Sequence, residues 1–352
     1  MKLILACSVA FISSAFLVLF LRRVALSVGL VDAPGGRKQH EGKIPLVGGL
    51  AMFSGFAFGV LLLAEPLTSY RSLMAAMALL VIIGTVDDLS GLSPFAKFIW
   101  QTVAALLMTS WGGVGVAQLG DLLGMGQVQL GSWAIPFTVM CVIGVINATN
   151  MSDGLDGLAG GIALIATGCM AIAAIMAAQV APARVLIVFA CAIAAFLVFN
   201  LRSPWRRRAL VFMGDAGSMM LGFVLTWFAV QLTQGERPVF SPIIAVWFLG
   251  LPLLDMGSVL LRRVVRGRMP FSADREHIHH ILLRAGYSIG QTVAILLVLS
   301  AVLAGVGLSA WVLNVPDSVM FYAFLAIFGL YFVAQQHAWR LMRMLKHVQR
   351  EN

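Results

Sequence analysis

Long apolar runs separated by short polar segments make up most of this 352-residue chain. About 20 apolar residues are enough for a helix to cross the hydrocarbon core of a bilayer, and tilt or local thinning accommodates shorter runs. Eleven candidate runs occur along the chain, and the third, fifth and seventh are short. They cover residues 3–21, 45–64, 73–86, 95–111, 133–146, 158–180, 185–199, 209–232, 239–261, 289–313 and 319–334. The pattern predicts an all-α, polytopic membrane bundle of about eleven transmembrane helices.

Composition agrees with a membrane protein that has a single domain. Apolar residues make up 60% of the chain and charged residues only 11%, against roughly 25% charged in soluble domains. The first run is long and ends at Arg22 and Arg23, which favours a span over a cleaved signal peptide. No repeat, low-complexity tract or long linker divides residues 1–352. We expect the basic segment 338–352 to form a cytoplasmic tail along an anionic membrane surface.

The distribution of lysine and arginine predicts the orientation of the helices. Short loops rich in these residues stay on the cytoplasmic side, and with the first loop inside, 20 of the 24 basic residues lie on that face. The opposite face keeps Lys2, Arg71, Arg184 and Arg237. We therefore expect the N-terminus outside and the C-terminus inside. The same count accounts for the net charge of +9, and since no nucleic-acid-reading motif is present, no nucleic-acid partner is expected.

Acidic residues collect on the predicted cytoplasmic face, where a carboxylate at a membrane boundary is costly without a partner or a task. Asp87 and Asp88 follow the third run, and adjacent like charges repel unless a cation lies between them. Lys97, just inside the fourth run, would neutralise one of them or bind a phosphate, unless it is only a snorkelling lysine. The pair indicates metal or phosphate chemistry, and two solvated loop carboxylates are the alternative.

A second polar segment reads Asn147-Ala-Thr-Asn150-Met-Ser-Asp153-Gly-Leu-Asp156-Gly. Its two asparagines and two aspartates recur every three residues, so on a helical turn all four would face the same way. Helix capping needs only one such residue. The constellation therefore favours a ligand site over a cap at the start of the next span.

Asp215 lies in the glycine-flanked segment Phe212-Met-Gly-Asp215-Ala-Gly-Ser218, a few residues inside the eighth run. A carboxylate at that depth needs a cation. Mg²⁺ is usually bound by one or two carboxylates together with substrate phosphates and water. A buried ion pair with an arginine of the preceding loop is the alternative.

The segment His277-Ile-His279-His280 lies in the most basic loop of the chain. The surrounding arginines would repel zinc and no cysteine is nearby, so phosphate or pyrophosphate binding fits this segment better. A solvated loop that serves only topology is the alternative. Asp255, inside the ninth run after Pro252, receives no role from the sequence.

These segments resemble, in order along the chain, the signatures of the polyprenyl-phosphate N-acetylhexosamine-1-phosphate transferases. Arg37-Lys38-x-His40 and Pro45-Leu-Val-Gly-Gly49 resemble the bacterial WecA branch, whereas the MraY branch typically has three consecutive histidines where this chain reads His-Ile-His-His. The resemblance implies transfer of N-acetylglucosamine (GlcNAc) 1-phosphate from UDP-GlcNAc to undecaprenyl phosphate, with release of UMP. It implies Mg²⁺ or Mn²⁺ as cofactor and an active site on the cytoplasmic face of the bacterial inner membrane. The product would be used for O-antigen or a related glycan. The resemblance also allows a homodimer.

The resemblance also implies roles for individual residues. Asp215 would be the leading metal ligand, assisted by Asp88, and Asp87 with Asp88 would position or deprotonate the lipid phosphate. Lys97 would bind a phosphate, and Asp153 would line the nucleotide or sugar site. The substrate-binding residues would be Lys43, Asp156, Asn200 and Phe212 around the uridine, together with Asn147 and Asn150, and Arg263, His277, His279 and His280 around the diphosphate and sugar.

Two other functions remain open at this point. A donor carrying N-acetylfucosamine or N-acetylquinovosamine would keep the reaction and change the sugar. A proton- or cation-coupled transporter would explain intramembrane carboxylates such as Asp215 and Asp255. It does not explain why acids, glycines, asparagines and histidines collect on one face, and the chain lacks the inverted repeats that many transporters have.

Overall fold

The computed structural model describes residues 1–32, 42–202, 206, 208–267 and 277–337, and helices make up nearly all of its regular structure. The predicted tail 338–352 lies outside the described residues. Two short strands, β1 (Val31–Asp32) and β2 (Ile44–Pro45), pair antiparallel. Thirteen α-helices occur in the described ranges: α1 (Lys2–Val28), α2 (Gly48–Leu61), α3 (Arg71–Ser90), α4 (Pro94–Leu106), α5 (Ala134–Ser152), α6 (Leu158–Met176), α7 (Val180–Asn200), α8 (Gly214–Thr233), α9 (Pro242–Phe248), α10 (Gly250–Val265), α11 (Ile278–Ala285), α12 (Ile289–Val312) and α13 (Asp317–Gln336). The all-α prediction is confirmed.

The helices account for all eleven apolar runs, but not all of them are long enough to span a bilayer alone. Within the described residues, eight helices are long and apolar enough to do so. Helix α2 has only 14 residues, and α4 continues into a π-helical turn over Leu107–Trp111. Two 3₁₀ turns, Leu67–Tyr70 and Gly131–Trp133, lead into α3 and α5. The protein is therefore a polytopic membrane protein, and the count of eleven spans stays a prediction.

The ninth run, predicted as a single span over 239–261, is wrong as one continuous helix. It consists of α9 and α10, whose axes are bent by 86° at Leu249. Pro252 lies in the first turn of α10 and has no N–H to continue the hydrogen bonds of α9, so the proline is tolerated only where a new helix begins. The bend places Asp255 one turn into α10, away from the axis of α9.

Several polar residues that follow the predicted apolar runs lie on helix ends. Asp87 and Asp88 belong to the last turn of α3, which continues to Ser90 before Gly91 ends it with φ +70°. Asn147 and Asn150 lie in the last turns of α5. The backbone hydrogen bonds of a helix do not stop where its side chains become polar, so the apolar run is shorter than the helix that contains it.

Polar segments of the chain sort into two groups at opposite ends of the bundle. In the group at the end away from Asp87, Arg184 Nη1 and Glu65 Oε1 form an ion pair at 2.8 Å. In the same group, Gln234 Oε1 accepts a hydrogen bond from the backbone N–H of Ala117 at 3.0 Å. These contacts join segments predicted to share the outer face. They agree with the prediction that successive loops lie at alternate ends of the bundle. The assignment of each end to a side of the membrane stays a prediction.

Helix α8 lies at the centre of the bundle and carries Asp215 in its first turn. Nearly all of its residues are buried, because α3, α5 and α2 pack around it. Glycines permit this close approach: a Cβ on Gly84 of α3 would overlap the backbone of Ala216, and one on Gly222 would lie 2.6 Å from the Cα of Ile146. The packing brings the polar ends of three helices together at the start of α8.

Candidate active site

One lysine and two aspartates from three helices form the centre of the candidate site. The ammonium of Lys97, on α4, is ion-paired with Oδ2 of Asp215, on α8, at 2.6 Å, and with Oδ2 of Asp87, on α3. Asp87 is buried, and the other two side chains are about a quarter exposed. Two carboxylates that would repel each other therefore share one cation. The cation partner that the described residues give Asp215 is thus a lysine of α4, where the sequence had also allowed an arginine of the preceding loop.

Asp88 has a different environment from Asp87. Its Oδ1 accepts the backbone N–H of Asp215 at 2.9 Å, and its Oδ2 faces the N–H of Ala216 at 3.4 Å. These N–H groups lie at the start of α8, where they have no partner within the helix and favour a negative charge. Gly214 has φ +68°, and a Cβ there would overlap the Asp88 carboxylate. Asp88 thus caps α8 from a neighbouring helix and fixes the backbone of Asp215.

Amide side chains complete the polar surface around Asp215. Asn150 Nδ2 donates to Oδ1 of Asp215 and to Oγ of Ser218, both at 2.8 Å. One helical turn earlier, Asn147 Nδ2 donates to Oε1 of Gln101 at 2.9 Å. Gln101 lies one turn beyond Lys97 on α4. The two predicted asparagines therefore contact the acidic centre directly or through α4.

The two aspartates that follow these asparagines do not share their helical face. Helix α5 ends at Ser152, so Asp153 and Asp156 lie in the turn before α6, and the four residues do not share one helical turn as the sequence spacing suggested. Burial, together with the negative charges of Asp215 and Asp88, raises the pKa of Asp153 well above its usual range. Oδ2 of Asp156 accepts a hydrogen bond from Nε of Arg202 at 2.6 Å.

The predicted uridine residues are linked through backbone hydrogen bonds. Asn200 is buried, its Oδ1 accepts the N–H of Gly157 at 2.7 Å, and its Nδ2 donates to the carbonyl of Val211 at 2.9 Å. The N–H of Phe212 then donates to the carbonyl of Pro45 at 2.9 Å, two residues beyond the exposed Lys43. One region is thus bordered by Lys43, Asp156, Asn200 and Phe212. Within it, the Asn200 side chain binds the backbone of Gly157 and Val211.

The histidine segment packs against the turn that carries Asp153. His277 Nδ1 contacts Oδ2 of Asp255 at 2.8 Å, and its ring stacks on that of His279 with centroids 5.8 Å apart. The ring centroids of His279 and His280 are 4.2 Å apart. A Cβ on Gly154 would lie 2.5 Å from Nε2 of His279. Burial and the neighbouring His280 lower the pKa of His279 to about 3.

Known proteins similar to this chain identify its family. Glycosyl transferase family 4 matches residues 70–233, which include Asp87, Lys97, Asn150 and Asp215. The undecaprenyl-phosphate alpha-N-acetylglucosaminyl 1-phosphate transferases of Yersinia pestis and Salmonella typhi are each 36% identical, over 94% and 97% of this chain and 90% and 93% of their own lengths. The Haemophilus influenzae protein of that name is 35% identical over 97% of this chain and 96% of its own. This chain belongs to the undecaprenyl-phosphate alpha-N-acetylglucosaminyl 1-phosphate transferase family. The resemblance read from the sequence motifs is confirmed.

Three polar residues near the site were not predicted from the sequence. Gln101 and Ser218 each lie one turn from a predicted residue, so helical spacing is a signal that would have found them. Asp255 was noticed without a role, because its partners lie in distant parts of the sequence. Arg263, predicted to bind the diphosphate, is buried on α10 two turns beyond Asp255.

The carboxylates best placed to hold a cation lie in the acidic centre. Among the described residues, no three or more histidine, cysteine, aspartate or glutamate side chains stand in a geometry that would hold a metal by themselves. The Oδ2 atoms of Asp87 and Asp215 nevertheless converge on one cation, the ammonium of Lys97. Both oxygens of Asp88 face backbone N–H groups. Asp87 is therefore better placed than Asp88 to share a cation with Asp215.

Proposed function

We propose that this transferase moves GlcNAc 1-phosphate from UDP-GlcNAc to undecaprenyl phosphate, giving undecaprenyl-diphospho-GlcNAc and UMP. The observation that carries the proposal is the convergence of Asp87 and Asp215 on Lys97, with Asn150 beside them, where α5 leads into the turn that carries Asp153. The predicted motif Arg37-Lys38-x-His40 lies outside the described residues. The acceptor and the transferred sugar phosphate are those in the names of relatives that align with nearly the whole chain.

The reaction exchanges one phosphoanhydride bond for another. An oxygen of the lipid phosphate attacks the β-phosphorus of UDP-GlcNAc, and the bond from that phosphorus to the bridging oxygen breaks, so that UMP leaves with the bridging oxygen. Such transfers depend on alignment and charge neutralisation more than on a strong base. Lys97 supplies positive charge between the reacting phosphates. Asp87, held against Lys97, is the candidate acceptor for any proton that the lipid phosphate carries.

The acidic centre also suits a divalent cation such as Mg²⁺ or Mn²⁺. Carboxylate oxygens are the protein ligands that Mg²⁺ prefers, and one or two are usual beside substrate phosphates. Asp215 and Asp87 would hold the ion, since their Oδ2 atoms already face a common cation. A bound ion would neutralise the charge of the donor diphosphate. Asp88 would act by fixing the start of α8 and, with it, the position of Asp215.

The donor would lie between the turn carrying Asp156 and the histidine segment. Lys43, Asp156, Asn200 and Phe212 would surround the uridine, and His277, His279, His280 and Arg263 would contact the diphosphate and sugar. The packing of His279 on Gly154 supports one continuous site, because it joins the two segments. We place this site on the cytoplasmic side of the bacterial inner membrane, in keeping with the lysine and arginine count, and expect the product to feed O-antigen or a related glycan.

A panel of UDP-sugars tests the proposal directly. Purified protein, undecaprenyl phosphate and Mg²⁺ would be incubated with UDP-GlcNAc, UDP-N-acetylfucosamine, UDP-N-acetylquinovosamine or UDP-muramyl-pentapeptide, and UMP release measured. We expect release with UDP-GlcNAc, dependent on the lipid and abolished in a folded Asp215→Asn variant. If another UDP-N-acetylhexosamine is preferred, that sugar nucleotide would be the donor in place of UDP-GlcNAc. Failure of all four donors with wild-type protein would refute the reaction.

A further inference from the structure

Asp255 is a buried carboxylate whose two oxygens have separate sets of partners. Oδ1 accepts three hydrogen bonds, from the backbone N–H of Ile278 at 3.1 Å and from Tyr331 Oη and Gln335 Nε2 at 2.9 Å each. Oδ2 faces a single partner, Nδ1 of His277, at 2.8 Å. Its side chain is only 8% exposed. A buried carboxylate is costly unless it is paired, and here it joins α10, α13 and the start of α11.

The contact with His277 continues toward the predicted donor site. The rings of His277 and His279 are stacked with an interplanar angle of 5°, and His279 packs on Gly154, beside Asp153. Both histidines are buried, so neither ring turns without disturbing the other. A carboxylate bound to Nδ1 fixes the orientation of an imidazole and leaves Nε2 for another partner.

We propose that Asp255 is a positioning residue for the nucleotide-sugar donor, acting by orienting the His277 ring toward the donor diphosphate. The inference rests on the proposed function, because it assigns a role within the same donor site. Tyr331 and Gln335 hold the Asp255 carboxylate from α13. Helix α13 therefore takes part in donor binding without contacting the donor.

Replacement of Asp255 by asparagine separates this role from a purely structural one. In Asp255→Asn the carbonyl oxygen still accepts from Ile278, Tyr331 and Gln335, so the links between α10, α11 and α13 persist. Only the contact with His277 changes, because an N–H donor now faces Nδ1. The ring then turns away or carries its proton on Nε2, and its orientation toward the donor is lost.

The test is a double-mutant cycle between Asp255→Asn and His277→Gln, read as KM for UDP-GlcNAc and KM for undecaprenyl phosphate. We expect Asp255→Asn to raise the donor KM about tenfold. Removing a carboxylate that orients a ligand-binding histidine typically costs about 10- to 100-fold, and the expected change is at the lower end of that range. The lipid KM should change less than twofold. In the His277→Gln background the same substitution should have no further effect on the donor KM, because the partner through which it acts is absent.

Ser258→Ala serves as the matched control. Ser258 is buried on the same helix and donates to Gln335 Oε1 at 2.7 Å, whereas the side-chain partners of Asp255 are His277, Tyr331 and Gln335. Ser258→Ala therefore removes one link between α10 and α13 and keeps the contact between Asp255 and His277, so its donor KM should stay near the wild-type value. An unchanged donor KM in Asp255→Asn, or effects that multiply in the double variant, would overturn the inference. If Asp255→Asn does not fold, Tyr331→Phe replaces it in the cycle, with a rise of about threefold expected and an unchanged KM contradicting the inference. Wild-type protein that transfers no sugar phosphate would refute the proposed function instead.

Discussion

Lys97 determines how the carboxylates of the site coexist. Its ammonium is the cation that Asp87 and Asp215 share in this structure. We predict that Lys97→Met lowers kcat by about 100-fold or more, the usual cost of removing one charge-stabilising group from an active site. UMP release at saturating donor and lipid measures the effect, and Lys2→Met, at the exposed N-terminus, is the control. Turnover within a few fold of wild type would remove Lys97 from the reaction.

The adjacent aspartates should respond differently to the same substitution. Asp88→Asn presents an N–H donor to the backbone N–H groups of Asp215 or Ala216, so we expect it to lower the free energy of unfolding by about 1 kcal/mol, as the loss of a helix cap does. Asp87→Asn should mainly lower kcat. Thermal unfolding and UMP release of both variants in one detergent measure this. A larger loss of stability in Asp87→Asn than in Asp88→Asn would contradict the assignment.

The sequence predicts which residues form the acidic centre better than it predicts their contacts. Charges placed at membrane boundaries predicted Asp87, Asp88, Lys97 and Asp215, and the spacing of asparagines and aspartates predicted Asn150. The structure brings these five residues together. The division of labour between Asp87 and Asp88 depends on which helix end each carboxylate meets, and adjacency in sequence does not contain that information. Asp255 was missed because its partners lie 22 to 80 residues away.

At the scale of helices, the contact between α3 and α8 sets the distance between the reacting groups. A Cβ on Gly84 would overlap the backbone of Ala216. We predict that Gly84→Ala pushes α3 from α8, costs about 1–3 kcal/mol of stability as overpacking does, and lowers kcat because Asp87 moves relative to Asp215. Thermal unfolding and activity measure both effects. Gly168→Ala, on α6 with open space around it, is the control, and equal behaviour of the two variants would refute the packing account.

Helix positions were predicted well, and helix ends and bends were not. Apolar runs report where side chains face lipid or core, so all eleven were found. They do not report where backbone hydrogen bonds stop, and α3 and α5 therefore extend past the runs to carry Asp87 and Asn150. The 86° bend between α9 and α10 lies at Leu249, where the run is still apolar, so hydropathy alone did not reveal it.

For the whole molecule, the central question is which end of the bundle faces the cytoplasm. Ser90, at the site end, and Gln127, in a segment at the other end, are both exposed. We predict that a membrane-impermeant maleimide labels Gln127→Cys in spheroplasts, whereas Ser90→Cys is labelled only after permeabilisation. The native cysteines lie within apolar runs, and the unsubstituted protein measures their background. The reverse labelling pattern would invert the proposed topology.

The reaction itself is tested most directly by following the β-phosphate of the donor. UDP-GlcNAc labelled with ³²P at that phosphate would be incubated with purified protein and undecaprenyl phosphate, and the lipid and aqueous phases counted. Transfer of GlcNAc 1-phosphate predicts that the label enters the lipid in equal amount to the UMP released, and that folded Lys97→Met and Asp215→Asn variants lose both signals together. Label that stays in the aqueous phase as UDP while GlcNAc enters the lipid would show transfer of the sugar alone and contradict the account.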